Sequence, residues 1–296
     1  MTTLRRTRVD LHCHTARSDG LLEPLDLYAR MRDAGMTLVA ITDHDTLAGV
    51  RELQGAGLGG PASDLGPQLI PGVEINTVAD GGVVPTDAGR EIGELHVLGL
   101  GVDPHDPDLD AALAAQRQGR RERLERMLQV LAARGMDVRA HLPGLSGPAS
   151  GSLGRPHVAR ALMAAGYATS IDDAFDRFLE KGRPGWVPRM GMGPRAAIEA
   201  ITAAGGIAAL AHAPSAPRAR LLIEQLMGWG LGGLEAHHRS FDDATAAEMS
   251  AFADGLGLLP TGGSDYHGDD MEYATALAAT FVPDAVGERL LAALSE

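Results

Sequence analysis

Two short stretches set metal-ligating side chains at alternate positions. "DLHCH" at 10–14 carries His12 and His14, and "SDYH" at 264–267 carries Asp265 and His267. Alternate residues of an extended chain share a face. His12 and His14 therefore project together, while Leu11 and Cys13 face the other layer and Cys13 reads as a packing residue. The same residue types recur along the chain: Asp19, His44 between Asp43 and Asp45, Glu74, His96, His212, then Glu235, His237 and His238. Any one of these alone reads as an ordinary satisfied polar residue. Imidazoles and carboxylates at the ends of six or seven separate apolar runs read instead as a metal centre. A mixed nitrogen and oxygen set suits Zn, Mn or Fe, where an all-oxygen set would suit Mg or Ca. About nine plausible ligands exceed the three or four that one catalytic zinc takes, so a polynuclear site is expected. Glu235 and Asp43 are candidates for orienting ligands rather than binding metal. His237 and His238 alternate faces, so only one of them should enter the site.

The elements that must carry these residues alternate. Strand-like apolar runs lie at 7–14, 37–43, 68–76, 94–101, 206–212, 231–237 and 258–265. Several are near-continuous Val, Ile, Leu and Ala, as strands buried on both faces of a parallel sheet require. Helical patterns fill most gaps, at 24–34, 195–204, 217–228 and 243–254. Repeated βα units imply a parallel sheet, and seven of them suggest a barrel, whose C-terminal rim is where such folds build sites. Two segments break the rhythm. A Gly/Asp-rich excursion at 77–93 reads as a loop or hairpin. Residues 105–190 hold no convincing strand and read as helices at 109–133, 156–165 and 171–180. The expected division is a barrel of 1–104 and 191–296 with a helical insertion subdomain of 105–190. Arg117, Arg120, Arg121, Arg123 and Arg126 read as a solvated helix face, and Tyr167, Phe178 and Trp186 as core of the insertion.

Composition narrows the class. The chain has 296 residues, 45% hydrophobic and 22% charged, with a formal net charge of −13. That balance argues against a broad nucleic-acid-coating surface, and no stable duplex binding is expected. No apolar run approaches the ~20 residues that span a bilayer, so no membrane partner is expected. The arginines of "MTTLRRTRVD" have no apolar segment behind them. A single cysteine rules out an intrachain disulfide, and a cytoplasmic location is expected.

The combination resembles the PHP (polymerase and histidinol phosphatase) family of metal-dependent phosphoesterases. The matching pieces are "DLHCHTARSDG" at 10–20, "ITDHDTLAG" at 41–49, "PGVEIN" at 71–76, "LHVLGL" at 95–100, "AHA" at 211–213, "GLEAHH" at 233–238 and "GSDYHG" at 263–268. They are similar above all to the stand-alone branch acting on nucleotide and oligonucleotide phosphates, which carries a "GRPHVAR"-like segment in its insertion, here at 154–160. The resemblance implies an α/β fold, a distorted (β/α)7 TIM-like barrel, with two or three divalent ions of Mn, Fe or Zn. It implies that His12, His14, Glu74 and Asp265 hold one ion, that Glu74 bridges to a second held by His96 and His212, and that Asp19, His44 and His267 hold a third. Arg155, Lys181 and His238 are implied as substrate phosphate contacts, with His238 or a metal-bound water protonating the leaving group. The 77–93 excursion and the "APSAP" after His212 depart from the family pattern.

The implied reaction is hydrolysis of a nucleotide phosphate ester (monophosphate, bisphosphate or cyclic phosphate) by a metal-activated hydroxide. The implied partner is a small phosphorylated substrate, a nucleotide or short oligonucleotide. The alternatives are a 5′→3′ exonuclease on RNA or short single-stranded DNA, a histidinol-phosphate phosphatase, an amidohydrolase and a non-catalytic metal-binding regulatory domain. The only lysine, Lys181, lies in the insertion, so a carboxylated strand lysine bridging metals is not an option.

Overall fold

The computed structural model describes residues 7–62, 65–78, 94–142, 152–212, 219–268 and 272–295. Seven strands form one sheet in chain order: β1 (Val9–Asp10), β2 (Leu38–Ile41), β3 (Gln68–Val78), β4 (Glu94–Leu100), β5 (Ile207–Leu210), β6 (Gly233–His238) and β7 (Leu259–Gly263). Each falls within or overlaps one of the seven apolar runs. Backbone hydrogen bonds join the first and last strands: Leu11 N–H donates to Gly262 O, Asp265 N–H to His12 O, and His14 N–H to Tyr266 O, at 2.9–3.0 Å or less. The sheet thereby closes into a barrel.

The repeated βα pattern predicts an all-parallel sheet, and β4 departs from it. It returns antiparallel to β3 over seven paired residues, from Gly72 opposite Leu100 to Val78 opposite Glu94, and is antiparallel to β5 as well. An antiparallel return needs no crossover helix. Residues 77 and 78 belong to β3, and the rest of the expected 77–93 excursion lies outside the described residues. The reversal matters for the site. Leu98 and Leu100 belong to an apolar cluster with Leu38, Ala40, Ile70 and Ala209, backed by Val286 and Leu290. Glu74 lies opposite Leu98, and His96 opposite Asn76. With a period of two, Glu74 and His96 share the face of that cluster. His96 thus reaches the rim from the start of its strand, and Glu74 from within β3, where the other ligands follow strand ends.

Among the described residues ten helices accompany the strands: α1 (Pro24–Asp33), α2 (Ala48–Gly55), α3 (Pro107–Ala132), α4 (Arg155–Ala164), α5 (Ile171–Ala174), α6 (Pro194–Ala203), α7 (Arg220–Met227), α8 (Asp243–Leu256), α9 (Tyr273–Ala279) and α10 (Asp284–Ala293). Proline opens α1, α3 and α6 where no N–H is missed, and Asp106 caps α3 by accepting from Leu109 N–H at 2.7 Å. Helix α3 spans two cores. Its Leu109 and Leu113 pack with the outer barrel layer, and Leu124, Met127, Leu128 and Leu131 pack with α4, α5 and the π turn Phe175–Leu179. Phe178 is buried in the second core and Tyr167 packs against it. Arg120 lies on the same buried stripe, so the arginine run is not simply a solvated face.

Barrel closure leaves no room beside His12. A methyl group added at Gly263 would overlap the His12 backbone nitrogen and Cβ. Gly263→Ala should therefore destabilise the protein by about 1–3 kcal/mol through overpacking. Chemical denaturation of the metal-free protein would measure it, and an unchanged midpoint would contradict the tight β1–β7 seam.

Candidate metal centre

Glu74 is fully buried, and five imidazoles face its carboxylate. Its Oε2 lies 3.2 Å from His12 Nε2, 3.1 Å from His14 Nε2 and 3.0 Å from His44 Nδ1. Its Oε1 lies 2.8 Å from His96 Nδ1 and 3.1 Å from His212 Nε2. Asp265 faces the same side: its Oδ1 is 3.3 Å from the Nε2 atoms of both His12 and His14. Asp19 sits beyond His14, with Oδ1 3.4 Å from His267 Nε2 and Oδ2 3.6 Å from His44 Nε2.

Three groups result whose ligand atoms lie within 4.8 Å of one another: His12, His14, Glu74 and Asp265; Glu74, His96 and His212; and His14, Asp19, His44 and His267. The nine residues singled out in the sequence are thus brought together, with His14 adjoining two groups. Both His14 ring nitrogens and Asp19 Oδ1 are buried without an aligned hydrogen bond. Buried polar atoms are normally satisfied, and orphaned ring nitrogens and a carboxylate oxygen within the ligand groups fit divalent cations.

The electrostatics agree. Burial alone would raise the pKa of each carboxylate, but the rings outweigh it. His44, His12 and His96 hold Glu74 well below the usual range, His44 and His267 do so for Asp19, and His12 and His267 for Asp265. Burial disfavours a charged His267, yet Asp19 and Asp265 push its pKa up to about 10. Burial pushes His44 well below its ordinary value.

Supporting residues fix these positions. Glu235 Oε1 lies 2.8 Å from His12 Nδ1, and its Oε2 accepts from His212 N–H at 2.6 Å, the orienting role expected for it. Asp43 acts on the backbone instead: it accepts from Thr15 N–H and Oγ1–H, both at 2.7 Å, and from Ser18 Oγ–H at 2.8 Å, holding the loop that carries Asp19. Regular alternation from Glu235 would turn His237 inward. A β-bulge at Ala236 shifts the register, so that His238 Nε2 lies 3.4 Å from Asp265 Oδ2 while His237 pairs with Ser250 on α8 at 3.1 Å. Cys13 Sγ is 3.1 Å from Asp10 Oδ2 and 3.4 Å from Ser264 Oγ, away from all three groups. Among the described residues, the non-glycine positive-φ positions are Asp45 (53°), His212 (30°) and Asp265 (48°), all at this rim. Such backbone strain concentrates at functional sites.

Beside the rim lies a narrow crevice lined by Arg120, Arg123, Arg155 and Arg189, with Leu124, Met127, Leu153 and Gly154. Arg155 was expected there. Lys181 does not line the cleft and is exposed after the π turn. Arg120, Arg189 and Asn76 were not anticipated. Arg120 pairs with the buried Asp45 carboxylate, whose carbonyl accepts from Arg117 at 2.9 Å. The Asn76 amide nitrogen lies 2.7 Å from His44 Nδ1, and its oxygen is 3.0 Å from both Arg120 Nη2 and Arg189 Nη1. Asn76 therefore connects the cleft to the ligand groups. The signal for Arg120 is the spacing 109, 113, 116, 120, 124, 127 and 131 on α3, a single helical stripe.

Residues 10–98 match the PHP domain. The chain is 33% identical over 264 residues to a 5′-3′ exoribonuclease of Haemophilus influenzae, covering 88% of this chain and 90% of that protein. The chain belongs to the PHP family. A 3′,5′-nucleoside bisphosphate phosphatase of Chromobacterium violaceum is 31% identical to this PHP protein over 275 residues, covering 88% of this chain and 87% of the relative. A crystal structure assigned as a metal-dependent phosphoesterase of Bifidobacterium adolescentis matches with a TM-score of 0.77 at 28% identity, covering 97% of this chain and 96% of that one. The PHP chain is a hydrolase acting on phosphate ester bonds, and its clustered ligands are those of a divalent metal centre.

Metal uptake must displace protons from the rings. The His267 pKa of about 10 in the ion-free cluster stands above the ordinary value of 6.5. Its proton stabilises the ion-free fold fully below pH ~6.5, and that contribution is lost as pH rises through the folded value. Calorimetric titration with Mn near neutral pH, in buffers of different ionisation enthalpy, should report proton release that shrinks as the pH approaches the folded value. A heat independent of buffer would contradict this.

Proposed function

We propose that this PHP enzyme hydrolyses phosphate esters of small nucleotides: a monophosphate, a bisphosphate or a cyclic phosphate. The observation that carries the reading is the arginine-lined cleft joined to the ligand groups through Asn76. One phosphoryl group at the ligand groups and a second anionic group in the cleft suit a compact nucleotide. Guanidinium forks are the side chains best matched to phosphate oxygens. The nucleoside bisphosphate phosphatase activity named for the Chromobacterium relative supports it.

In this reading His12, His14, Glu74 and Asp265 hold one ion, Glu74, His96 and His212 a second, and Asp19, His44 and His267 a third, with Mn, Fe or Zn as the candidates for the imidazole and carboxylate set. Bound ions would supply Lewis-acid activation of water and neutralise charge on the phosphoryl oxygens. The protein's own groups do the rest. Arg155 binds and orients the substrate. Arg120, held by Asp45, keeps the cleft wall in place beside Asn76. Ser240 N–H donates to His238 Nδ1 at 3.2 Å, which leaves the ring proton on Nε2, next to Asp265. From there the His238 N–H can donate a hydrogen bond to a phosphoryl or leaving oxygen. Residues 105–190 serve as the substrate-facing subdomain on a barrel of 1–104 and 191–296. A cytoplasmic location is consistent with a lone cysteine, and no helix among the described residues is long and apolar enough to cross a membrane.

A 5′→3′ exonuclease acting on RNA or short single-stranded DNA is the second reading, favoured by the relationship to the Haemophilus exoribonuclease. Exposed Lys181 would then meet only substrates long enough to leave the cleft.

A kinetic panel with Mn separates these. It comprises AMP, 3′,5′-bisphosphoadenosine, a cyclic nucleotide, 5′-phosphorylated oligoribonucleotides and histidinol phosphate. The compact nucleotides should exceed histidinol phosphate in kcat/KM by about tenfold or more, roughly 1.4 kcal/mol of transition-state binding. An advantage for the oligonucleotides would move the assignment to the exonuclease, and best turnover of histidinol phosphate would overturn the nucleotide reading. On the preferred substrate, Arg155→Ala should lower kcat/KM by about 10- to 100-fold, the loss of one charge-assisted contact, with bound metal unchanged. Wild-type kinetics in that variant would remove Arg155 from the substrate site.

A further inference from the structure

The segment "GRPHVAR" contributes more to the site than Arg155. Helix α4 starts with Gly154 as its N-cap, in an extended conformation with φ −147° and ψ −175°. Glycine has no side chain to cap a helix. His157, three residues on, supplies one: its Nδ1 accepts from Gly154 N–H at 3.1 Å. That bond fixes the ring chemistry. A nitrogen accepting an N–H carries no proton, so the imidazole is neutral with its proton on Nε2. His157 is only 9% exposed, and Nε2 makes no hydrogen bond within the described protein. The capping bond therefore leaves a donor with no acceptor among the described residues.

The surroundings show what that donor faces. One turn further along α4, Arg160 Nη2 donates to Asp19 O at 3.0 Å, and just before the helix Ser152 N–H donates to Arg17 O at 3.0 Å. These bonds stitch the start of α4 to the loop that carries the Asp19 ligand. On the other side, a Cβ on Gly154 would sit 3.1 Å from Arg120 Nη1. The charges of Asp19, Arg160 and Arg120 all act on the ring, and Gly154 and Arg155 line the arginine cleft. His157 thus lies between the third ligand group and the cleft.

We propose that His157 is a substrate-contacting residue, its Nε2–H donating to an oxygen of the phosphoryl group held between the ligand groups and the arginine cleft. This rests on the phosphoesterase reading above. A neutral donor is the appropriate group there, since Arg120 and Arg160 already provide positive charge on that side.

Two near-isosteric substitutions separate this role from capping alone. His157→Asn keeps an acceptor where Nδ1 lies and removes the distal donor. His157→Gln keeps a donor near Nε2 and removes the cap. Both would be tested as metal-loaded full-length protein, with metal content, thermal unfolding, steady-state kinetics on the best substrate of the panel, and calorimetric binding of inorganic phosphate. The expected result is that His157→Asn keeps its metal and fold, loses about 10- to 100-fold in kcat/KM and binds phosphate correspondingly more weakly, while His157→Gln retains most of both. Wild-type kinetics and phosphate binding in His157→Asn, or losses in His157→Gln as large as in His157→Asn, would overturn the proposal and leave His157 a cap. Failure of the parent reading has a different signature: wild-type protein turning over no phosphate ester. Phosphate binding by the two variants still judges His157 in that case.

Discussion

A carboxylate buried at the mouth of the barrel, out of reach of water, sets the terms for the rest of the molecule. Glu74 cannot be left alone there, because an unpaired buried charge is among the most costly features a fold can contain. It is met by His12, His14, His44, His96 and His212, which follow β1, β2 and β5 or lie at the start of β4. Five imidazoles around one carboxylate exceed what neutralisation needs. The excess is intelligible if their lone pairs are meant for cations, and the unsatisfied His14 nitrogens and Asp19 oxygen lie where those cations would stand.

The fold bends its own regularities to serve that arrangement. A reversed β4 delivers His96 from the beginning of a strand, and a bulge at Ala236 exchanges His237 for His238. Left-handed backbone at Asp45, His212 and Asp265 turns three rim residues inward. Helices α3 and α4 are fastened to the same rim through Arg120 and Asp45, through Arg160 and the Asp19 carbonyl, and through Gln116 and the Asn76 carbonyl at 2.9 Å. The arginine crevice and the ligand groups are thus held by shared residues.

Much of this was legible in the sequence, for identifiable reasons. Strands buried on both faces write continuous apolar runs, so all seven could be located. Paired ligands two residues apart on a strand share a face, so His12 with His14 and Asp265 with His267 pointed to a metal centre. What stayed hidden is what such patterns do not encode. An apolar run reads the same in either direction, so β4 looked parallel. Strict alternation has no place for a bulge, so the choice between His237 and His238 needed the family resemblance. Arg120 lay on a clear helical stripe, yet its charge argued for solvent until the buried Asp45 partner was placed. Lys181 drew attention as the only lysine, but it follows the π turn into solvent, away from the arginine cleft. His157 looked like part of a helix start, and only the Gly154 bond reveals which of its nitrogens carries the proton.

In the proposed function the Glu74 carboxylate is shared between ions. Anomalous-scattering crystallography of Mn-loaded protein tests it most directly. The predicted result is a peak beside each Glu74 oxygen, one near His12, His14 and Asp265 and the other near His96 and His212, with a third near Asp19, His44 and His267. A Glu74 oxygen without a peak beside it, with the metal present in excess, would contradict it.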